Sequence, residues 1–219
     1  MTILNDDIFT RYDELTDEKL ILLFYGHGEH YIAITENIKL AEKLITVLLQ
    51  TKTETIVSLI CNIKNSFEIT KKDVPQFSDI NIVAKVPFIL KNCGIEGVNY
   101  AQMGYMVRRD RRNTIADRKY GENHIKTACQ MSLCKMVGYK AYSNEIGNIF
   151  STLSDTDKSI VFPKLCLSIP FIQNYFVNGC SSSFLEQQMN ILSESTKGRR
   201  RSNVNSLITI INEAIKNGI

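Results

Sequence analysis

The chain has 219 residues, 44% hydrophobic and 22% charged, a composition typical of a folded domain that builds its core without disulfide support. A net charge of +3 excludes a uniformly polybasic or polyacidic protein, so any polyanion site has to be local. The apolar runs fall far short of the roughly 20 residues a membrane span needs, the start is acidic rather than basic-then-apolar, and the six cysteines contain no C-x-x-C pair and read mostly as small buried hydrophobes, which together predict a reducing, cytoplasmic setting.

In chain order, the apolar run Leu20–Tyr25, the glycine-flanked turn Gly26-His27-Gly28 and the run Tyr31–Ile34 predict a β-hairpin or two short strands. Residues Asn37 to Gln50 predict an amphipathic helix, with Leu40, Ala41, Leu44, Ile45, Leu48 and Leu49 recurring at helical spacing. Thr55 to Ile63 suits a second helix or a strand, and Lys71-Lys72-Asp73-Val74-Pro75 reads as a connector. Pro87 suits a first-turn position, so a helix is expected from there to a cap at Gly94. Asn99 is a candidate N-cap for a helix over Tyr100–Val107. A third helix is expected from about Tyr120 to Cys134, with Ile125 and Ala128 inward and Asn123, Lys126, Thr127 and Gln130 outward. Val137–Tyr142 then reads as a strand and Ser143–Glu145 as a turn. Further helices are expected over Asp155–Ile169, Pro170–Phe176 and Ser183–Leu192. A last one, capped by Ser202, runs through Ile215.

Charge is unevenly spread. The first twenty residues hold Asp6, Asp7, Asp13, Glu14, Asp17 and Glu18 against Arg11 and Lys19. Arg108 to Lys126 holds seven bases (Arg108, Arg109, Arg111, Arg112, Arg118, Lys119, Lys126) against Asp110, Asp117 and Glu122. A second basic run is Lys197-Gly198-Arg199-Arg200-Arg201. Two such clusters on a nearly neutral chain suggest a polyanion site, with a solvated surface as the plain alternative.

Three short helices followed by a strand and a turn is the order of a winged helix, whose second helix buttresses a third that enters the major groove. On that third helix Asn123 and Gln130 could pair with adenine, and Lys126 with guanine or phosphate. Arg118, Lys119, Tyr120 and His124 lie near the helix start, where peptide dipoles favour phosphate. The segment from Ile115 through Tyr120, His124 and Lys126 to Cys134 resembles the recognition-helix region of winged-helix domains of type II restriction endonucleases and related restriction–modification proteins. The stretch Leu192–Ile208, with Thr196, the arginines and Ser202, resembles a second element of those proteins, although Leu207 and Ile211 stand where an aromatic residue is usual. The resemblance implies DNA contacts from Arg118, Lys119, Tyr120, Asn123, His124 and Lys126 and backbone contacts from Arg199, Arg200 and Arg201. Arg108, Arg109, Arg111, Arg112, Thr127 and Gln130 complete the expected interface. It also implies a nuclease or methyltransferase partner.

A metal-dependent nuclease of that class needs an acid, then an acid and a lysine two residues apart on a strand, to hold Mg²⁺ and orient water. Glu68-Ile69-Thr70 lacks the lysine, and Asp17-Glu18-Lys19 is too compressed. Gly26-His27-Gly28-Glu29-His30 offers two histidines, but no third metal ligand lies at motif spacing. No metal site is therefore assigned, no catalytic residues are identified, and Mg²⁺ enters only with the endonuclease alternative. The expectation is an α+β, mostly helical protein: an α/β module over residues 1–72, and over 73–219 a winged-helix core, roughly Phe77 to Leu153, with a helical C-terminal extension. Its expected function is sequence-preferring double-stranded DNA binding as the recognition component of a restriction or defence system. A small Mg²⁺-dependent endonuclease and a protein-interaction module are the alternatives. The apolar positions of Val204–Ile215 would suit either a homodimer interface or packing on the chain's own domain.

Overall fold

Short polar side chains open most of the helices. In the computed structural model, which describes residues 14–63, 68–108 and 114–219, Thr16 accepts from the Lys19 N–H at the start of α1 (Asp17–Tyr25). After α2 (His30–Glu36), Asn37 accepts from the Lys39 and Leu40 N–H groups to start α3 (Ile38–Gln50), with α4 (Thr53–Ile60) following. Asp79 caps α5 (Ile80–Cys93), and Asn99 forms a reciprocal capping box with Gln102 at α6 (Tyr100–Val107). Each cap satisfies amides that a helix leaves unpaired in its first turn. α7 spans Thr114–Gln130, and strands β1 (Lys135–Val137) and β2 (Lys140–Tyr142) follow. The chain ends in α8 (Glu145–Thr152), α9 (Asp155–Cys166), α10 (Pro170–Val177), α11 (Ser182–Met189) and α12 (Glu194–Lys216).

The protein is mostly helical, with one small antiparallel sheet. The two strands expected within 20–34 are helices. Leu20, Ile21, Phe24 and Tyr25 are all buried, a helical i, i+1, i+4, i+5 set that a six-residue apolar run cannot distinguish from a strand. The N-terminal stretch is thus helical among its described residues rather than α/β. Pro87 lies inside α5, because Asp79 supplies the cap one turn after Pro75. The single strand expected at Val137–Tyr142 is a hairpin turning at Gly138 (φ 59°) and Tyr139. The last helix begins at Glu194, eight residues before the expected cap, so the basic run is helical and Ser202 is interior.

Val98 adds a third rung to the sheet. It exchanges both backbone hydrogen bonds with Ala141, at 2.8 and 2.9 Å, which places it beside β2 and opposite β1. The order over residues 80–142 is therefore helix, bridge, helix, helix, hairpin.

Buried side chains on both sides of residue 72 form one continuous core. Tyr25 donates its hydroxyl to Lys164 O at 2.8 Å, Lys164 Nζ donates to Leu48 O at 2.6 Å, and Gln173 donates to Tyr25 O at 2.9 Å. These bonds join the first helices to α9 and α10. Val204, Leu207, Ile208 and Ile211 of α12 are buried in this core. Among the described residues no single helix is long and apolar enough to cross a membrane, and α9 and α10, which together pass for length and composition, are bent by 75°.

Candidate nucleic-acid interface

Helix α7 is gripped on one side by α6. An added Cβ at Gly104 would lie 1.8 Å from the Asp117 carbonyl oxygen, and one at Gly121 would lie 1.9 Å from that of Tyr100. The two backbones meet directly, and only glycine fits at either crossing point. Arg108, just beyond α6, donates to Asp117 at 2.8 Å, and both side chains are largely buried. The Arg108 guanidinium also lies 5.8 Å from the Tyr120 ring centroid, within cation–π range. The charge of Arg108 is thus spent on holding α6 to α7.

The opposite side of α7 carries the connector 71–79. His124 is fully buried. Its Nδ1 lies 2.8 Å from Tyr120 O, and a carbonyl only accepts, so Nδ1 carries the proton and Nε2 accepts from Ser78 N–H and Oγ–H at 3.4 and 3.3 Å. Burial holds this imidazole below its usual pKa, against the opposing pull of the Tyr120 carbonyl. Thr127, also buried, donates to Gln76 O at 3.0 Å, and Gln130 donates to Lys72 O at 3.0 Å. Arg200 of α12 clasps the same connector from beyond, donating to Lys71 O at 2.6 Å and Val74 O at 2.9 Å. Asn203 adds a bond to Phe77 O at 2.6 Å.

Between connector, α7 and α12 lies a cleft of about 160 Å³ lined by Lys71, Lys72, Lys119, Lys126 and Arg200, with Asn123 among its polar walls and Glu122 its one carboxylate. Lys119 and Lys126 hold Glu122 at 3.1 and 2.5 Å. Burial alone would raise that carboxyl, but the two lysines outweigh it and hold it below the ordinary range. Arg200 keeps its Nε buried without a protein partner among the described residues. Burial, then the neighbouring Arg199, lowers its pKa. Four lysines and an arginine from three separate elements thus converge on one polar recess, a setting in which an anion is favoured.

The expected site residues meet different fates. Lys119, Asn123, Lys126, Thr127, Gln130 and Arg200 line the cleft, and Arg118 and Arg199 are exposed. Thr127, expected on the outward side, and His124, expected to contact phosphate near the helix start, are buried against the connector, and the Tyr120 ring lies tilted against that of His124 with centroids 4.4 Å apart. Arg201 pairs with Glu186, and Lys197 with Asn190, Glu186 and Glu194, so the second basic run fans around a helix instead of forming one patch. Arg109, Arg111 and Arg112 lie outside the described residues, as do Asp6, Asp7, Arg11 and Asp13. In sequence, Lys71 and Lys72 mark only a connector. Their adjacency to a turn proline gave no hint that the segment would lie along α7.

Of the two glycine-flanked histidines, His27 lies in the turn between α1 and α2 and His30 starts α2. The His27 ring lies tilted against that of Tyr31, centroids 4.8 Å apart, and burial lowers its pKa, while His30 lies 3.4 Å from Glu29. No group of three or more His, Cys, Asp or Glu residues placed to hold a metal occurs among the described residues. Comparison with family models, with curated proteins and with solved structures found no match.

Proposed function

We propose that this protein binds double-stranded DNA with a sequence preference, using α7 as the helix that enters the major groove. The observation that carries this reading is the convergence of Lys71, Lys72, Lys119, Lys126 and Arg200 beside the exposed Arg118 of α7. The order of α5, the Val98 bridge, α6, α7 and the hairpin supports a winged-helix reading, in which α6 buttresses the reading helix. Phosphates would sit against the lysines, Lys126 among them, and Asn123 would meet base edges. The resemblance to restriction-type domains makes a cytoplasmic restriction or defence system the proposed setting, and a nuclease or methyltransferase the proposed partner.

The test is selection from a randomised duplex pool at moderate salt with Mg²⁺ present. An enriched motif is expected, with affinity falling with salt at a log–log slope of about −0.9 per phosphate neutralised. Lys126→Ala should lower that slope by about one phosphate, and Asn123→Ala should relax the preference. Cut products would instead promote the endonuclease alternative. No retention of duplex at low salt would overturn the reading.

A second reading, a protein-binding module, has one observation in its favour. A groove of about 520 Å³ runs between α5, α8 and α9, lined by Ala84, Phe88, Ile89, Phe150 and Phe162, and Phe88 is 57% exposed. Salt-insensitive association with a protein, lost in Phe88→Glu, would favour that reading.

A further inference from the structure

Cys129 and Cys134 are five positions apart, a spacing that separates side chains on one helix. The helix does not run that far. α7 ends at Gln130, Ser132 adopts a left-handed conformation (φ 62°), and the Leu133 N–H donates to Ala128 O at 2.9 Å. The chain therefore doubles back and sets the two sulfur atoms 3.2 Å apart. Both are free thiols. The turn is anchored from outside: Tyr31 and Ser132 hydroxyls lie 2.6 Å apart, and Asn144 donates to Ser132 O at 2.9 Å. Cys134 is buried, whereas Cys129 is half-buried and reaches solvent.

We infer that Cys129 and Cys134 are a redox-active dithiol, which a hydroperoxide converts to a disulfide tying the end of α7 to the start of β1. Cys129 is the attacking group, because it is the accessible one of the pair. Its thiolate takes the distal peroxide oxygen, the O–O bond breaks, and the leaving oxygen departs as an alcohol or water after taking up a proton. Cys129 is then a sulfenic acid. Cys134 displaces its hydroxyl group: the S–S bond forms, the S–O bond breaks, and water leaves with the proton of Cys134. Two thiols lose two electrons, and the peroxide gains them. The hydrogen bond to Cys129 and then burial hold the Cys134 thiol well above its usual range, which suits a resolving group that stays protonated until Cys129 has reacted.

Cys61 and Cys180 compete for the same oxidant. Both are exposed, and both thiols face Phe176 O, at 3.9 and 4.0 Å. The experiment therefore uses the full chain carrying Cys61→Ser and Cys180→Ser, treated with hydrogen peroxide, alkylated, and digested. Trypsin releases both remaining partners in one peptide, Thr127–Lys135. That peptide is expected unalkylated and lighter by two hydrogens than its dithiol form, and dithiothreitol should restore alkylation. Adding Cys129→Ser should leave Cys134 a free, alkylatable thiol. Adding Cys134→Ala instead should let Cys129 accumulate as a sulfenic acid that dimedone traps, with circular dichroism checking that this variant is folded. Recovery of Thr127–Lys135 with both cysteines alkylated after peroxide, or with Cys129 over-oxidised beside an alkylatable Cys134, would overturn the inference.

Discussion

Toward α6, helix α7 meets its neighbour backbone to backbone, with Gly104 and Gly121 leaving no room for a side chain and one buried ion pair beside them. Toward the connector, the same helix meets its neighbour through side chains, with His124, Thr127 and Gln130 each bonded to a backbone group. The first contact depends on shape and has no slack. The second is a set of separate polar bonds that can be lost one at a time, and it borders a charged cleft open to a ligand. For the proposed DNA-reading role, this division would hold one side of α7 fixed while the other adapts.

The sharpest way to break the comparison is Gly121→Ala. The helices would have to separate to accept a methyl group, and denaturant unfolding should show a loss of about 4 kcal/mol. Gly28→Ala is the matched control: an added Cβ there meets nothing within 4 Å, and the change should be small. Asp117→Asn keeps the shape but leaves the Arg108 guanidinium without its carboxylate, at an expected cost of about 2 kcal/mol by the same measurement.

On the connector side the effects should be smaller and, for His124, dependent on pH. Its folded pKa lies below the unfolded value near 6.5, so the unfolded chain binds more protons in the window beneath that value. The stability His124 contributes is present above about pH 6.5 and is lost as pH falls through its lowered folded pKa. His27 acts in the same direction. The share belonging to His124 is read as the part of the acid slope that disappears in His124→Gln; an unchanged slope would assign it elsewhere. Thr127→Val removes one bond to Gln76 O and should cost about 1 kcal/mol. Lys126→Ala is the smallest change to the fold. Its ion pair with Glu122 is half exposed, with the lysine side chain 54% accessible, so stability should shift by less than about 0.5 kcal/mol. A large loss there would mean that the cleft is structural, which would erase the distinction between the two sides.

Much of the fold was legible where local chemistry sets it. The cap at Asn99 and its helix, and the helix up to Gln50, are readable from residues within a turn of one another, whereas Ser143–Glu145, expected as a turn, is the Asn144 cap and first residue of α8. The apolar runs at 20–25 and 31–34 were not legible, because runs this short fit a strand or a buried helix equally well. The candidate site was legible in part. Lys119, Asn123 and Lys126, expected as DNA contacts, line the cleft, but Arg108 and Arg201 are similar in sequence and are spent on Asp117 and Glu186. A basic side chain carries no mark in sequence of whether an acid waits for it across the fold.

The sequence by itself determined a mostly helical chain, caps such as Asn99 and Gly94, and a basic concentration on and before α7. Tertiary structure alone decided that Gly104 and Gly121 face each other's helix, that 71–79 covers His124 and Thr127, that Lys71 and Lys72 join a cleft, and that Cys129 meets Cys134. The first set depends on interactions within one turn of chain, which the residue order specifies directly. The second depends on which distant backbones come within bonding distance, and that is set by how the whole core packs.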